Sequence, residues 1–67
     1  MAIMKVIEIL ANSENSWEDA AQNAVTQASK SIKNIKSLYV QNFNAVVEDG
    51  KIVEYRVNAK ITFKVNT

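Results

Sequence analysis

The chain has 67 residues, of which 48% are hydrophobic; Cys, His and Pro are absent, and the formal net charge is +1. The lack of Cys and His excludes disulfides and the thiolate and imidazole ligands of structural metal sites. A charge so close to zero gives no field to recruit nucleic acid or an anionic membrane, so neither is expected as a partner. Because a chain of this size buries only ~60% of its unfolded surface, self-association is the expected source of further stability.

The first predicted element is a strand over residues 3–10, which is rich in β-branched side chains. Lys5 and Glu8 interrupt this apolar run, and no small-residue cleavage pattern follows it, so it is not expected to be a signal peptide and the expected compartment is the cytoplasm. Residues 12–15 are polar and predict a loop. With no repeat, linker or biased tract, the sequence predicts a single domain over residues 1–67.

An amphipathic helix of about seventeen residues is predicted next. Ser16 is the expected N-cap, with its hydroxyl accepting from the Asp19 backbone N–H and the Asp19 carboxylate reaching back toward Ser16. Asn34 tolerates the left-handed conformation and is expected to stop the helix. Apolar residues recur at three- and four-residue spacing and form the stripe expected to face the sheet: Trp17, Ala20, Ala21, Ala24, Val25, Ala28 and Ile32.

Two further strands are predicted over residues 35–48 and 51–65. The apolar parity of the first changes near residues 41–44, which indicates a bulge there. Asp49 and Gly50 both tolerate positive φ and predict a two-residue hairpin turn, so the final two strands are expected to be antiparallel. The predicted fold class is therefore α+β, in the order β-α-β-β.

The last strand alternates almost without a break, and at ~3.3 Å per residue it spans roughly 45–50 Å, whereas the helix spans only roughly 25 Å. The helix is too short to cover the strand. Either the sheet curls around the helix or other copies of the chain cover the rest. The apolar residues on one face of the last strand are expected to form the helix-facing core: Tyr55, Val57, Ala59, Ile61 and Phe63.

No catalytic constellation is evident. The pair Glu18 and Asp19 fits a helix start, and the pair Glu48 and Asp49 fits a turn, although a symmetric oligomer could gather such carboxylates for calcium. Trp17 is interpreted as a core residue in preference to a ligand-stacking one.

The polar face of the last strand carries basic residues, with aromatic residues nearby in sequence. Such a face can bind single-stranded nucleic acid. The acidic residues within it favour salt bridges between chains or a solvated surface instead. Its members are Arg56, Asn58, Lys60, Thr62 and Lys64.

Four segments together resemble the dodecin family in order and spacing, nearly from end to end. They are K-V-I-E-I at residues 5–9, S-W-E-D-A at 16–20, A-S-K-S-I at 28–32 and E-D-G-K-I-V-E-Y-R-V at 48–57. This resemblance implies a three-stranded antiparallel sheet wrapped around one helix and assembled as a hollow homododecamer. It also implies a flavin-binding storage protein of the cytoplasm that is not an enzyme.

The resemblance places the family's flavin-stacking Trp at Ser37 and its flavin-contacting Gln at Arg56. Both residues of the expected cofactor site are therefore replaced. Losing the stacking surface removes about 1–3 kcal/mol per ring, which corresponds to roughly tenfold to more than a hundredfold in affinity. Tyr39, two residues beyond Ser37, is expected on the same face as a displaced stacking surface. Arg56 is expected to pair with an anionic ligand or with a neighbouring chain.

The expected function is non-enzymatic binding and storage of a small ligand. The cofactor implied by the family is a flavin, as riboflavin, FMN or FAD, in a pocket altered at Ser37, Tyr39 and Arg56. The alternative is a shell that binds ions, calcium in particular, or is purely structural. No metal ligand is assigned from the sequence.

Overall fold

The computed structural model describes residues 3–65. Strand β1 (Ile3–Ser13) precedes the only helix of this region, α1 (Trp17–Ala28), which is followed by strands β2 (Ile35–Glu48) and β3 (Lys51–Val65). The three strands form one antiparallel sheet. The predicted α+β class and β-α-β-β order are confirmed.

Strand β3 lies at the centre of the sheet, in the strand order β1-β3-β2. Along β1 the pairing with β3 is regular, from Ile3 opposite Val65 to Ser13 opposite Tyr55. The pairing of β2 with β3 shifts register three times. The longest and most regularly alternating strand, β3, thus pairs with both of the other strands. The shorter strands β1 and β2 form the two edges of the sheet.

The core lies between α1 and one face of the sheet. Val57 and Ile61 of β3 are fully buried there, with Ala59 between them. The helix contributes Ala20, Ala24 and Ala28, whose small side chains allow close approach. Tyr55 and Phe63 are half-buried at the two ends of this row. The predicted core residues of β3 therefore share the helix-facing side, with burial greatest at the centre.

The helix begins as the sequence predicts. Ser16 is the N-cap, and its hydroxyl accepts from the Asp19 backbone N–H at 2.9 Å. The expected return contact of Asp19 with Ser16 is wrong in detail, because Asp19 Oδ2 accepts from the Ser13 hydroxyl at 2.6 Å instead. Ser13 is available because β1 continues to residue 13, beyond the predicted end at residue 10.

The helix is shorter than expected, with 12 residues instead of about seventeen. The Ser29 hydroxyl donates to the Val25 carbonyl at 2.7 Å, and Lys30 N–H donates to the Gln27 carbonyl at 3.2 Å. These contacts satisfy the final carbonyl groups in a tighter turn and end the helix. Ile32 nevertheless packs against the core cluster as an element of the turn that follows.

The hairpin turn predicted at Asp49 and Gly50 is confirmed, and Asn34 adopts the left-handed conformation expected of it. The prediction that Asn34 stops the helix is wrong, because α1 ends at Ala28. Asn34 has φ 63°, and Asp49 and Gly50 have φ 51° and 75°. Asn34 turns the chain into β2, six residues after the helix has ended, and its carbonyl accepts from Lys64 N–H at 3.0 Å. One of the register shifts of β2 lies between Val40 and Asn42, within the region where the parity change indicates a bulge.

Candidate functional site

The sheet has a second face, opposite the helix, which we call the outer face. On β3 it comprises the polar set predicted from the alternation: Arg56, Asn58, Lys60, Thr62 and Lys64. On β1 it carries exposed apolar side chains beside one carboxylate: Met4, Val6, Glu8 and Leu10. Candidate ligand-contacting groups are therefore separated from the core by the thickness of the sheet.

The three sequence-predicted site residues all lie on the outer face. Ser37 pairs with Thr62, Tyr39 with Lys60, and Arg56 with Asn44. Ser37 and Tyr39 thus share a face as expected, and Tyr39 is 65% exposed. Arg56 lies six positions along β3 from the partner of Ser37, about 20 Å away at ~3.3 Å per residue. A single chain does not bring Ser37 and Arg56 to one ligand, so a site that uses both requires two chains.

Arg56 is held in a row of polar residues that crosses all three strands. Asn12 of β1 and Asn44 of β2 are its cross-strand partners. Arg56 Nε donates to Asn44 Oδ1 at 2.7 Å. Asn12 Nδ2 donates to Glu54 Oε1, also at 2.7 Å. The sheet thus fixes a guanidinium group among amide side chains.

A shallow depression of about 480 Å³ opens over this row. Asn12, Asn44, Arg56 and Asn58 line it, and Leu10 forms an apolar margin. Its volume is within the range typical of small-molecule sites. The depression therefore offers one cation and several amide groups to a polar ligand of modest size.

Trp17 lies on the helix side and is half-buried, as its interpretation as a core residue requires. Its ring makes edge contacts with Tyr55 and Phe43, at centroid distances of 4.9 and 6.2 Å. Trp17 Nε1 donates to the Asn44 backbone carbonyl at 2.9 Å. Asn44 therefore connects the helix side of the sheet, through its carbonyl, with Arg56 on the outer face, through its side chain.

The carboxylate pairs have the structural roles expected of them. Asp19 lies in the first helical turn, where it accepts from Ser13, and Asp49 lies in the hairpin turn. Among residues 3–65, no group of three or more acidic side chains is arranged to hold a metal ion.

Within the described region, α1 is neither long nor apolar enough to cross a membrane.

Sequence reasoning missed Asn12 and Asn44. The sequence predicts a loop at Asn12, whereas β1 extends through this residue and sets it opposite Arg56. Asn44 lies just after the bulge, and its face depends on how many residues the bulge inserts. A change in parity locates a bulge only approximately, so the alignment of Asn44 with Arg56 had no clear signal in the sequence.

Comparison with known proteins identifies the family. The sequence model of the family described as Dodecin matches residues 3–66. The chain therefore belongs to the dodecin family. It is 34% identical over 64 residues to calcium dodecin of Mycobacterium tuberculosis, and the alignment covers 96% of this chain and 90% of that protein.

Solved structures agree on the fold. A structure of M. tuberculosis calcium dodecin with a calcium-binding site is 37% identical, with a TM-score of 0.82, covering 96% of this chain and 91% of that one. Dodecin from Streptomyces coelicolor is 26% identical with a TM-score of 0.94, covering 98% and 94%. The backbone thus superposes more closely on the relative of lower sequence identity.

Proposed function

We propose that this protein is a non-enzymatic dodecin that assembles as a hollow homododecamer and sequesters a small ligand at the outer face of its sheet. Membership of the dodecin family supports the assembly. The incomplete burial of single chains supports it independently. Exposed apolar side chains occur on the outer face, as at Leu10, and near the hairpin turn, as at Val47 and Ile52.

The observation that carries the ligand proposal is the placement of Ser37, Tyr39 and Arg56. All three lie on the outer face, and Ser37 and Arg56 are too far apart to meet on one chain. A ligand site built from both ends of the sheet must therefore form between copies. Such a site exists only in the assembly, which fits a storage role better than catalysis by single chains.

The flavin implied by the family is expected to bind weakly. Ser37 has no aromatic surface for an isoalloxazine ring, and Tyr39 is displaced by two positions along the strand. Ring stacking on aromatic side chains contributes about 1–3 kcal/mol, so its loss weakens binding by roughly tenfold or more. Arg56 replaces a neutral amide with a cation and favours a ligand that carries negative charge.

Riboflavin fluorescence titration of the assembled protein tests this proposal. We expect saturable quenching with a dissociation constant in the micromolar range or weaker. FMN, which adds a phosphate to the same ring system, is expected to bind more tightly than riboflavin. Submicromolar affinity for riboflavin would show that Ser37 does not impair the pocket, and a complete lack of flavin and anion binding would contradict ligand storage.

Calcium sequestration is the second candidate. A relative that is 34% identical is a calcium dodecin, and residues 3–65 do not form a three-carboxylate cluster within one chain. Calcium prefers six to eight oxygen ligands, which carboxylates and amides from several copies can supply around a symmetry axis. Glu8 and Glu54 are the outer-face carboxylates available for this role.

Calorimetry with calcium after chelation, compared with magnesium, tests the second candidate. Calcium binding should release measurable heat and raise the unfolding temperature of the assembly. The variants Glu8→Gln and Glu54→Gln should weaken calcium binding, whereas Glu14→Gln, in the exposed turn before α1, should not. A lack of both heat and thermal shift would eliminate calcium as the ligand.

A further inference from the structure

We infer that the row Asn12–Arg56–Asn44 is a binding site for an oxyanion, either a carboxylate or a phosphate group, and that Asn44 positions the guanidinium for it. This inference rests on the proposed function in that it names the ligand class taken at the outer face. All of its groups, however, belong to one chain.

The hydrogen bonds of Arg56 set its orientation. A guanidinium group has five N–H donors in a planar fork. Arg56 Nε–H is used by Asn44 Oδ1 at 2.7 Å. The two Nη atoms remain as a pair of donors at the exposed end of the side chain, and this pair matches the two oxygens of a carboxylate or phosphate.

Asn44 is itself held from the other side of the sheet. Its backbone carbonyl accepts from Trp17 Nε1 at 2.9 Å, and its backbone pairs with β3 opposite Arg56. The side chain that orients Arg56 therefore extends from a fixed point. Ordering the guanidinium before the ligand arrives reduces the entropy lost on binding.

The charges on the outer face include both signs, and Arg56 is the cation that belongs to the row itself. Lys60 lies on the same face of β3 as Arg56, four residues along the strand, and is paired with Glu8 of β1. Glu54, two residues from Arg56, opposes an anion, although one of its oxygens accepts from Asn12 Nδ2. The depression above the row is about 480 Å³, which accommodates an oxyanion with a small organic group attached.

The test uses the full chain with two separate probes, inorganic phosphate and carboxyl-labelled acetate. Binding is measured from the phosphorus NMR line width of the first and the carboxyl carbon line width of the second. We expect saturable binding of at least one probe, and the comparison between them identifies which oxyanion the site prefers. Line widths that stay unchanged for both probes would overturn the inference.

Variants locate the site. Arg56→Gln should weaken binding by about tenfold or more, since it removes a charge-assisted, bidentate contact. Lys64→Gln is the matched control, because it removes a charge of the same sign from the same face and strand. Equal losses in the two variants would show that binding is only general attraction to a basic surface.

A second pair of variants tests the positioning role. Asn44→Ala keeps the backbone carbonyl that Trp17 contacts but removes the partner of Arg56, and it should weaken binding by about threefold to tenfold. Asn42→Ala, on the same strand and face, should leave binding unchanged. If both variants bind like the original protein, Asn44 does not position Arg56.

Riboflavin titration and light scattering on the same samples separate this inference from the proposed function. Oxyanion binding that depends on Arg56 in a protein without a dodecamer would sustain the inference and contradict the proposed assembly. A dodecamer that binds riboflavin, in which Arg56→Gln leaves anion binding unchanged, would support the proposed function and contradict the inference.

Discussion

At the scale of single residues, Asn44 contacts both sides of the sheet. Its carbonyl accepts from Trp17, and its side-chain oxygen accepts from Arg56. The two contacts have different roles, so replacing Trp17 and replacing Arg56 should have different consequences. Loss of the Trp17 contact should affect stability, whereas loss of the Arg56 contact should affect ligand binding.

Trp17→Phe tests the first contact. It retains an aromatic ring beside Tyr55 but removes the N–H donor to Asn44, so it should lower the free energy of unfolding by about 1–2 kcal/mol. Urea unfolding at fixed protein concentration measures this. Tyr39→Phe is the control, since Tyr39 is 65% exposed and such surface changes cost less than about 0.5 kcal/mol. Equal effects would mean that the indole hydrogen bond contributes nothing.

Ser37→Trp tests the explanation for weak flavin binding. A restored aromatic platform should tighten riboflavin binding by roughly tenfold to a hundredfold, measured by fluorescence titration. The control is Ser31→Trp, in the exposed turn after α1. If the two variants gain riboflavin affinity equally, the added ring acts non-specifically and position 37 has no special role.

At the scale of the elements, the termini and turns are determined by local chemistry. Ser16 begins the helix, a Ser29 side-chain contact accompanies its end, and Asp49 and Gly50 turn β2 into β3. The turn matters beyond its two residues. It sets the register by which β2 and β3 pair, and thus which β2 side chains face the helix.

Gly50→Ala isolates the backbone cost of the turn. Gly50 has φ 75°, and an added Cβ meets no atom within 4 Å, so steric contact plays no part. The substitution should destabilise the protein by about 1–2 kcal/mol, because a left-handed conformation is unfavourable for Ala. Gly50→Asn should lose less stability, since Asn tolerates the left-handed conformation. Thermal unfolding of the two variants side by side checks the order, and an Ala variant as stable as the Asn variant would contradict it.

At the scale of the whole molecule, the long strand exceeds what one helix can cover. The chain extends 52 Å along its longest axis, whereas a helix of 12 residues is only about 18 Å long. Apolar side chains beyond the helix are exposed, as at Val47, Ile52 and Val53 near the hairpin turn. Burial of this surface requires other chains.

Light scattering tests the assembly. Twelve copies of a 7.5-kDa chain give a particle of about 90 kDa. We expect this mass at micromolar concentration, together with an unfolding temperature that rises with protein concentration, because association stabilises the folded state by mass action. A species near 7.5 kDa at the same concentration would refute the shell.

Local patterns in the sequence were sufficient for the order and type of the elements, but not for the ends of β1 and α1. Nearly unbroken alternation predicted β3 and its helix-facing residues. Ser16 predicted the helix start, and Asp49 with Gly50 predicted the hairpin, because each of these features depends on interactions within a few residues. The helix end was predicted too late, since its apolar spacing continues to Ile32 although the helix ends at Ala28.

Residues distant in the chain were brought together only by the folded sheet. The central position of β3, the extension of β1 to Asn12 and the alignment of Asn44 with Arg56 follow from strand pairing and from the bulges of β2. A bulge that inserts one more residue would move Asn44 to the opposite face. The candidate residues Ser37, Tyr39 and Arg56 could thus be named from the sequence, but their separation along the outer face depends on a register that no local pattern encodes.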